Sequence, residues 1–96
     1  MKKEFKVISD LLPNNTRVLD VGCGDGSLMY FLRKEKKINV RGLELNQDNV
    51  RQCINKGLPV IQGNAETELH QFPDQSFDYV VLSQTLQAFY DPEKVL

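Results

Sequence analysis

The stretch that decides the fold is Val18-Leu19-Asp20-Val21-Gly22-Cys23-Gly24-Asp25-Gly26, where an apolar run leads into three alternating glycines. Residues 17–21 have the composition of a short buried strand, and apolar residues return at helical spacing from position 28. A strand, a glycine-rich turn and a helix form the first unit of a nucleotide-binding α/β fold. A plain tight turn is the alternative, but it does not need three glycines in five residues.

The rest of the chain continues to alternate between helix and strand patterns. We predict helices at 3–12, 27–36, 47–56 and, for one turn, near 66–71, and strands at 17–21, 39–45, 59–62 and 77–83. Asn46 would be the N-cap and Gly57 the C-cap of the third helix. Residues 84–90 would form a loop or a short helix, and Asp91-Pro92 would begin another helix, because proline suits the first helical position. Such alternation predicts an α/β fold, with a parallel sheet and helices on both faces.

The spacing of the glycines favours one adenosine ligand over another. The dinucleotide fingerprint G-x-G-x-x-G would require glycine at position 27, which is Ser27. A pyrophosphate would also meet Asp20 and Asp25, with no Arg or Lys in the loop to offset their charge. A ligand with a sulfonium, an ammonium and one carboxylate suits an acidic loop better. We therefore predict S-adenosylmethionine (or S-adenosylhomocysteine) as the cofactor and disfavour an NAD-dependent oxidoreductase.

Within the loop, backbone and side chain have different predicted roles. The N–H groups of the loop would bind the ligand carboxylate, with Gly22, Gly24 and Gly26 allowing the close approach. Asp20 would favour the ammonium, directly or through water. Cys23 is more typical of a small residue packed under the loop than of a nucleophile.

Two residues at the end of the second predicted strand complete the adenosine half of the site. Glu44 would accept hydrogen bonds from both ribose hydroxyls, for either candidate ligand; the alternative is an exposed strand end. Leu45 would pack on the adenine face, or equally belong to the core.

Polar residues also follow the third and fourth predicted strands, at the edge of the sheet where ligands bind. Asn64 and Ala65 would lie at the adenine edge, with Asn64 bonding the exocyclic amine or, equally, serving only in a turn. Ser83 begins the run at 83–87, which would line a substrate pocket or cap a helix; the pattern does not separate the two.

Composition excludes several classes of protein. Of 96 residues, 41% are hydrophobic and 26% charged, with a net charge of −1, which is ordinary for a globular domain. A near-neutral charge argues against a nucleic-acid partner. Without a long apolar run or a secretory signal pattern, we expect a cytoplasmic protein without a membrane partner. We attribute the excess of Lys and Arg over Asp and Glu in residues 1–37 mainly to cations at the C-terminal end of a helix.

Residues for other chemistry are scarce. Cys23, Cys53 and His70 have no metal-ligand spacing, so no metal site is predicted. A methyl transfer requires positioning and, for some acceptors, a base. His70 lies in a polar stretch typical of the surface, and Asn-Pro-Pro-Tyr does not follow the fourth strand. The sequence leans towards a methyltransferase but leaves catalysis and the methyl acceptor open.

The same motifs resemble a known family. Residues 18–26 are similar to motif I of class I S-adenosylmethionine-dependent methyltransferases, and residues 42–45, 60–64 and 72–88 are similar to the methionine-biosynthesis MetW family. The most specific part is Leu82-Ser83-Gln84-Thr85-Leu86-Gln87-Ala88. The resemblance implies a Rossmann-like methyltransferase fold, a link to methionine synthesis, and association with the homoserine O-acyltransferase MetX. A non-catalytic partner of that acyltransferase is therefore the alternative function.

The chain departs from the family pattern at two points. Asn64 stands where this fold more often has Asp, which would weaken cofactor binding. The family domain is about twice as long, so we expect residues 1–96 to be a single truncated domain, the N-terminal half of the fold, with strand order 3-2-1-4 and no independent catalysis. Strand 77–83 would then be an open apolar edge, through which the chain would self-associate.

Overall fold

The computed structural model describes residues 3–73, 76–83 and 88–90. The helices are α1 (Lys3–Leu11), α2 (Ser27–Glu35), α3 (Gln47–Asn55) and α4 (Ala65–Glu68), the last followed by a 3₁₀ turn at Leu69–Gln71. The strands are β1 (Arg17–Val21), β2 (Asn39–Glu44), β3 (Val60–Gln62), β4 (Tyr79–Leu82) and β5 (Ala88–Tyr90). Every predicted helix and strand within the described residues is present. Where an end differs from the predicted end, the difference is one or two residues.

The first four strands form the predicted parallel sheet. The spatial order is β3-β2-β1-β4-β5, so the expected order 3-2-1-4 is confirmed. Val21, the last residue of β1, is paired with Leu43 in β2 and with Leu82 in β4. The carboxyl ends of the three strands therefore lie at the same edge of the sheet, where the glycine loop begins.

The prediction of an open edge at residues 77–83 is wrong. β5 pairs with β4 in antiparallel register, with Val80 opposite Tyr90 and Leu82 opposite Ala88. Residues 88–90 are thus a strand and not the loop or short helix predicted for them, because the main-chain groups of β4 offer a pairing partner. This pairing removes the basis for self-association through β4. Residues 84–87 and the helix predicted from Asp91 lie outside the described residues.

The two faces of the sheet are covered by different elements. On one face, Val18, Val40 and Val81 pack with buried residues of α1, α2 and α3. On the other, the buried residues Leu19, Leu43 and Val80 pack against the region of α4, with Ala65, Phe72 and Phe77. Neighbouring residues in β1 and β4 belong to opposite faces, as the two-residue period of a strand requires. Helices therefore lie on both faces, as predicted.

The ends of α3 follow local sequence signals. The Asn46 side chain accepts a hydrogen bond from the Asn49 N–H at 3.0 Å, which confirms the predicted N-cap. Gly57, directly after the C-cap residue Lys56, has a φ of 75° and ends the helix as predicted. Among the described residues, no helix combines the length and apolar character needed to cross a membrane.

Candidate functional site

The glycine loop between β1 and α2 uses all three of its glycines for backbone geometry. Gly22, Gly24 and Gly26 have φ angles of 72°, 61° and 86°, in the left-handed region that side chains with a Cβ disfavour. Gly26 is also the residue that precedes the first turn of α2. The loop is therefore a specific structure that requires glycine at alternate positions.

Four N–H groups of the glycine loop bond to acceptors within the chain. The Gly22 and Cys23 N–H groups donate to the Leu43 carbonyl at 2.8 and 3.2 Å, that of Gly24 to Glu44 Oε1 at 2.7 Å, and that of Gly26 to the Cys23 carbonyl at 3.1 Å. To bind any of these four N–H groups, a ligand carboxylate would have to share the N–H with its present acceptor or displace that acceptor. The predicted carboxylate contact with these N–H groups therefore stays a prediction.

Asp20 is a buried carboxylate at the end of β1. Its side chain is fully inaccessible to solvent, and Oδ1 accepts a hydrogen bond from the Ser83 hydroxyl. Oδ2 has no hydrogen-bond partner among the described residues. The pKa of Asp20 is raised to about 7, mainly by burial and also by the nearby charge of Glu44, against the lowering effect of the Ser83 hydrogen bond.

Glu44 is the last residue of β2 and is only 4% exposed. Its Oε1 accepts a hydrogen bond from the Gly24 N–H. Its Oε2 accepts hydrogen bonds from the backbone N–H of Asn46 at 2.9 Å and from the side-chain Nδ2 of Asn49 at 3.5 Å. The carboxylate is thus oriented from both sides, by the glycine loop and by the first turn of α3. This observation excludes the alternative of an exposed strand end.

Asp25 differs from Asp20 because its charge is offset. Its carboxylate accepts hydrogen bonds from the N–H and hydroxyl of Ser27, at 3.0 and 2.6 Å, in the first turn of α2. Lys56 Nζ lies 3.7 Å from Asp25 Oδ2 and donates to the Asp25 carbonyl at 2.8 Å. Sequence reasoning missed this cation because Lys56 follows α3, 31 residues along the chain.

The other predicted residues occupy the same edge of the sheet. Leu45 is 65% exposed, so it is not a core residue. Asn64 caps α4 by accepting the Thr67 N–H at 2.9 Å, as the turn alternative required, while its contact with adenine stays a prediction. Ala65 packs partly buried against the second face of the sheet. The Gly63 N–H donates to the Glu44 carbonyl at 3.0 Å, which brings the end of β3 beside the site.

The two cysteines support the loop as packing residues. Cys23 and Cys53 are both buried, with their sulfurs 3.9 Å apart, and both thiols are reduced. Burial is the main cause that raises the pKa of each thiol, which keeps both protonated and unsuited to nucleophilic attack. Within the described part of the chain, no cluster of three or more His, Cys, Asp or Glu side chains could hold a metal ion.

Solved structures share the fold of this chain. A methyltransferase from Thiobacillus denitrificans in complex with S-adenosyl-L-homocysteine superposes with a TM-score of 0.70 at 21% identity, over 85% of this chain and 36% of its own. An S-adenosylmethionine-dependent methyltransferase from Archaeoglobus fulgidus has a TM-score of 0.64 at 35% identity, over 82% of this chain and 34% of its own. The expected Rossmann-like methyltransferase fold is therefore confirmed.

Sequence comparison identifies the family. The bifunctional methionine biosynthesis protein MetXA/MetW of Rhodopirellula baltica is 34% identical over an alignment of 89 residues that covers 84% of this chain. The chain spans only 14% of the length of that relative. The family model for the methionine biosynthesis protein MetW matches residues 2–96, nearly the whole sequence. The chain therefore belongs to the MetW family, as its motifs predicted.

Proposed function

We propose that the chain is the cofactor-binding part of a MetW-type methyltransferase domain and binds S-adenosylmethionine at the carboxyl ends of β1 and β2. The observation that carries the proposal is Asp20, whose fully buried carboxylate has one oxygen without a partner among the described residues. A buried carboxylate without a counter-charge is costly, and a cationic ligand group relieves that cost. The ammonium of S-adenosylmethionine is such a group.

The proposed contacts divide the ligand between neighbouring strands. Asp20, with Ser83 bonded to it, would face the methionine ammonium, and Glu44 would accept the ribose hydroxyls. The exposed side chain of Leu45 would cover one face of adenine, and Asn64 and Ala65 would lie at its edge. The loop residues Gly22, Cys23, Gly24 and Gly26 would approach the ligand with their backbone. The bound cofactor would supply an electrophilic methyl group, and the methyl acceptor is left open.

The charges of the loop support this ligand over a dinucleotide. A pyrophosphate would lie against Asp20 and Glu44, and Lys56, which offsets the charge of Asp25, is bonded to the loop carbonyl and not directed at a ligand phosphate. The negative charges of the pyrophosphate and of these two carboxylates would repel each other strongly in a buried site. The residues present therefore fit an ammonium and a sulfonium better than two phosphates.

Titration calorimetry with S-adenosylhomocysteine and, separately, with NAD tests this proposal. We expect saturable binding of S-adenosylhomocysteine only, and a loss of about tenfold or more in affinity in Asp20→Asn, which removes the charge facing the ammonium. Asp78→Asn is the matched control, because it makes the same chemical change at the opposite end of the sheet. Saturable binding of NAD alone, or equal affinities in the two variants, would refute the proposal.

A second candidate function is association with an acyltransferase, and it is compatible with the first. The observation in its favour is that the relative from Rhodopirellula baltica is a bifunctional MetXA/MetW protein. We propose that this chain likewise associates with a homoserine O-acyltransferase of the MetX type. Such an association would not require a methyl transfer.

Co-expression with the MetX acyltransferase of the same organism tests the association. We expect the two chains to co-purify at a fixed ratio and acyltransferase activity to be higher with the MetW protein than without it. The Asp20→Asn variant shows whether the effect depends on the cofactor site. Separate elution together with unchanged activity would refute the association without affecting the cofactor proposal.

A further inference from the structure

Helix α3 and its C-cap present two hydrogen-bond donors to consecutive carbonyl groups of the glycine loop. The Cys53 thiol lies 3.3 Å from the Gly24 carbonyl oxygen, within hydrogen-bond reach of a sulfur donor. Lys56 Nζ donates to the next carbonyl, that of Asp25, at 2.8 Å. Residues three apart lie on the same side of a helix. One side of α3 therefore holds the centre of the loop.

These two bonds fix the direction of the loop backbone. Each peptide unit is planar and trans, so its N–H points opposite to its carbonyl. Holding the Gly24 and Asp25 carbonyls towards α3 consequently directs the N–H groups of Asp25 and Gly26 away from α3. Side chains about 30 residues away in the sequence therefore help to orient two N–H groups in the middle of the loop, together with the bond from the Gly26 N–H to the Cys23 carbonyl.

Close packing makes α3 a firm support. A Cβ added at Gly26 would lie 3.0 Å from Cys53 Sγ and 2.5 Å from Leu58 Cδ1, so the loop has no space to move towards the helix. Cys53 is fully buried. Lys56 also lies 3.7 Å from Asp25 Oδ2, which adds an electrostatic attraction at the outer side of the loop. Packing and polar contacts therefore act on the same three loop residues.

We infer that Cys53 and Lys56 are positioning residues for the cofactor site, holding the glycine loop in the conformation that binds the adenosyl ligand. The inference rests on the proposed function, in which the loop approaches S-adenosylmethionine. Neither side chain contacts the ligand; each acts through a loop carbonyl. Loss of either donor leaves the fold in place but weakens ligand binding, because the free loop must then be ordered on binding.

Variants of Lys56 provide the main test, with S-adenosylhomocysteine as the titrated ligand. We expect Lys56→Met to weaken affinity about three- to tenfold, because it removes a charged donor to a carbonyl, and Lys56→Arg to restore most of it. Arg51→Met is the matched control on the same helix, since the ion pair recorded for Arg51 is with Asp48, at 3.6 Å within α3. Equal losses in Lys56→Met and Arg51→Met would overturn the inference.

Variants of Cys53 provide a second, independent test. Cys53→Ser retains a donor for the Gly24 carbonyl, and Cys53→Ala removes it at a similar small size. We expect the affinity to fall in the order wild type, Cys53→Ser, Cys53→Ala, measured well below the thermal midpoint of each variant. If affinity follows the thermal midpoint across the set and not the presence of a donor, the role is merely structural and the inference is wrong.

Amide NMR and hydrogen exchange of the ligand-free chain separate this inference from the proposed function. We expect Lys56→Met to shift the Asp25 and Gly26 amide signals and to speed their exchange, whereas Arg51→Met leaves them unchanged. Such shifts in a chain that fails to bind S-adenosylhomocysteine would refute the proposed function but support the hold of α3 on the loop. Unchanged loop amides would overturn the inference, whatever the chain binds.

Discussion

Carboxylates at the two ends of the parallel sheet have opposite environments. At the carboxyl end, Asp20 in β1 is fully buried, and its Oδ2 has no partner among the described residues. At the amino end, Asp78 next to β4 forms an ion pair of 3.1 Å with Arg17, and both side chains are substantially exposed. Burial raises the pKa of Asp20, whereas the hydrogen bonds from Arg17 lower that of Asp78.

Basic side chains at the amino end also have structural partners. Arg33 donates to the Gly57 carbonyl at 3.0 Å, and Lys36 donates to the Ser9 and Leu12 carbonyls near the end of α1. Arg33 also lies in the last turn of α2, as expected from the attribution of the basic excess in residues 1–37 to the end of a helix. These charged side chains at the amino end thus have partners within the chain, whereas Asp20 at the carboxyl end is a buried carboxyl for which a cationic ligand group would be the counter-ion.

The largest expected effect is on stability, and it differs between two glycine substitutions. Gly26 and Gly57 both have positive φ angles, but an added Cβ at Gly26 meets Leu58 at 2.5 Å, and one at Gly57 meets no atom within 4 Å. We expect Gly26→Ala to lower the free energy of unfolding by about 2–5 kcal/mol, from backbone strain and overpacking. Gly57→Ala should cost about 1–2 kcal/mol, from strain alone. Equal costs in urea denaturation would contradict the description of the loop.

An intermediate effect is expected from the titration of Asp20. Its pKa of about 7 exceeds the usual value of 3.8, so the native state binds a proton more tightly than the unfolded state. The stabilisation that protonation of Asp20 contributes is fully present below about pH 4 and is lost as the pH rises through about 7. The free energy of unfolding falls by about 2–4 kcal/mol over this range. Asp20→Asn should flatten this part of the profile, measured by chemical denaturation. An unchanged slope would show that Asp20 is ionised throughout.

The smallest effect is expected from the Arg17–Asp78 pair, with the opposite dependence on pH. The lowered pKa of Asp78 contributes stability above its usual titration range, and that contribution is lost as the pH falls through the lowered value. Because the pair is exposed, solvent and salt screen it. We expect Asp78→Asn to lower the thermal midpoint only slightly at neutral pH and not at all in strong acid. A large loss that persists in high salt would contradict this interpretation.

Sequence reasoning predicted the features that depend on local pattern. The glycine loop, the burial of β1, the cap at Asn46 and the strand order all follow from residue spacing and from the rules for parallel sheets. The strand β5 was missed because three residues carry little propensity of their own and are stabilised by pairing with β4. The contacts of Cys53 and Lys56 with the loop were missed because they join segments that only the tertiary fold brings together.

The central claim is that Asp20 is the carboxylate that meets a cationic ligand group. Calorimetry of S-adenosylhomocysteine binding at about pH 7, in buffers of different ionisation enthalpy, counts the protons exchanged. Since the ligand ammonium requires an ionised Asp20, whose pKa is about 7, we predict release of about half a proton per ligand, and none in Asp20→Asn. Binding without proton release by the wild-type chain, or equal release by the variant, would contradict the account.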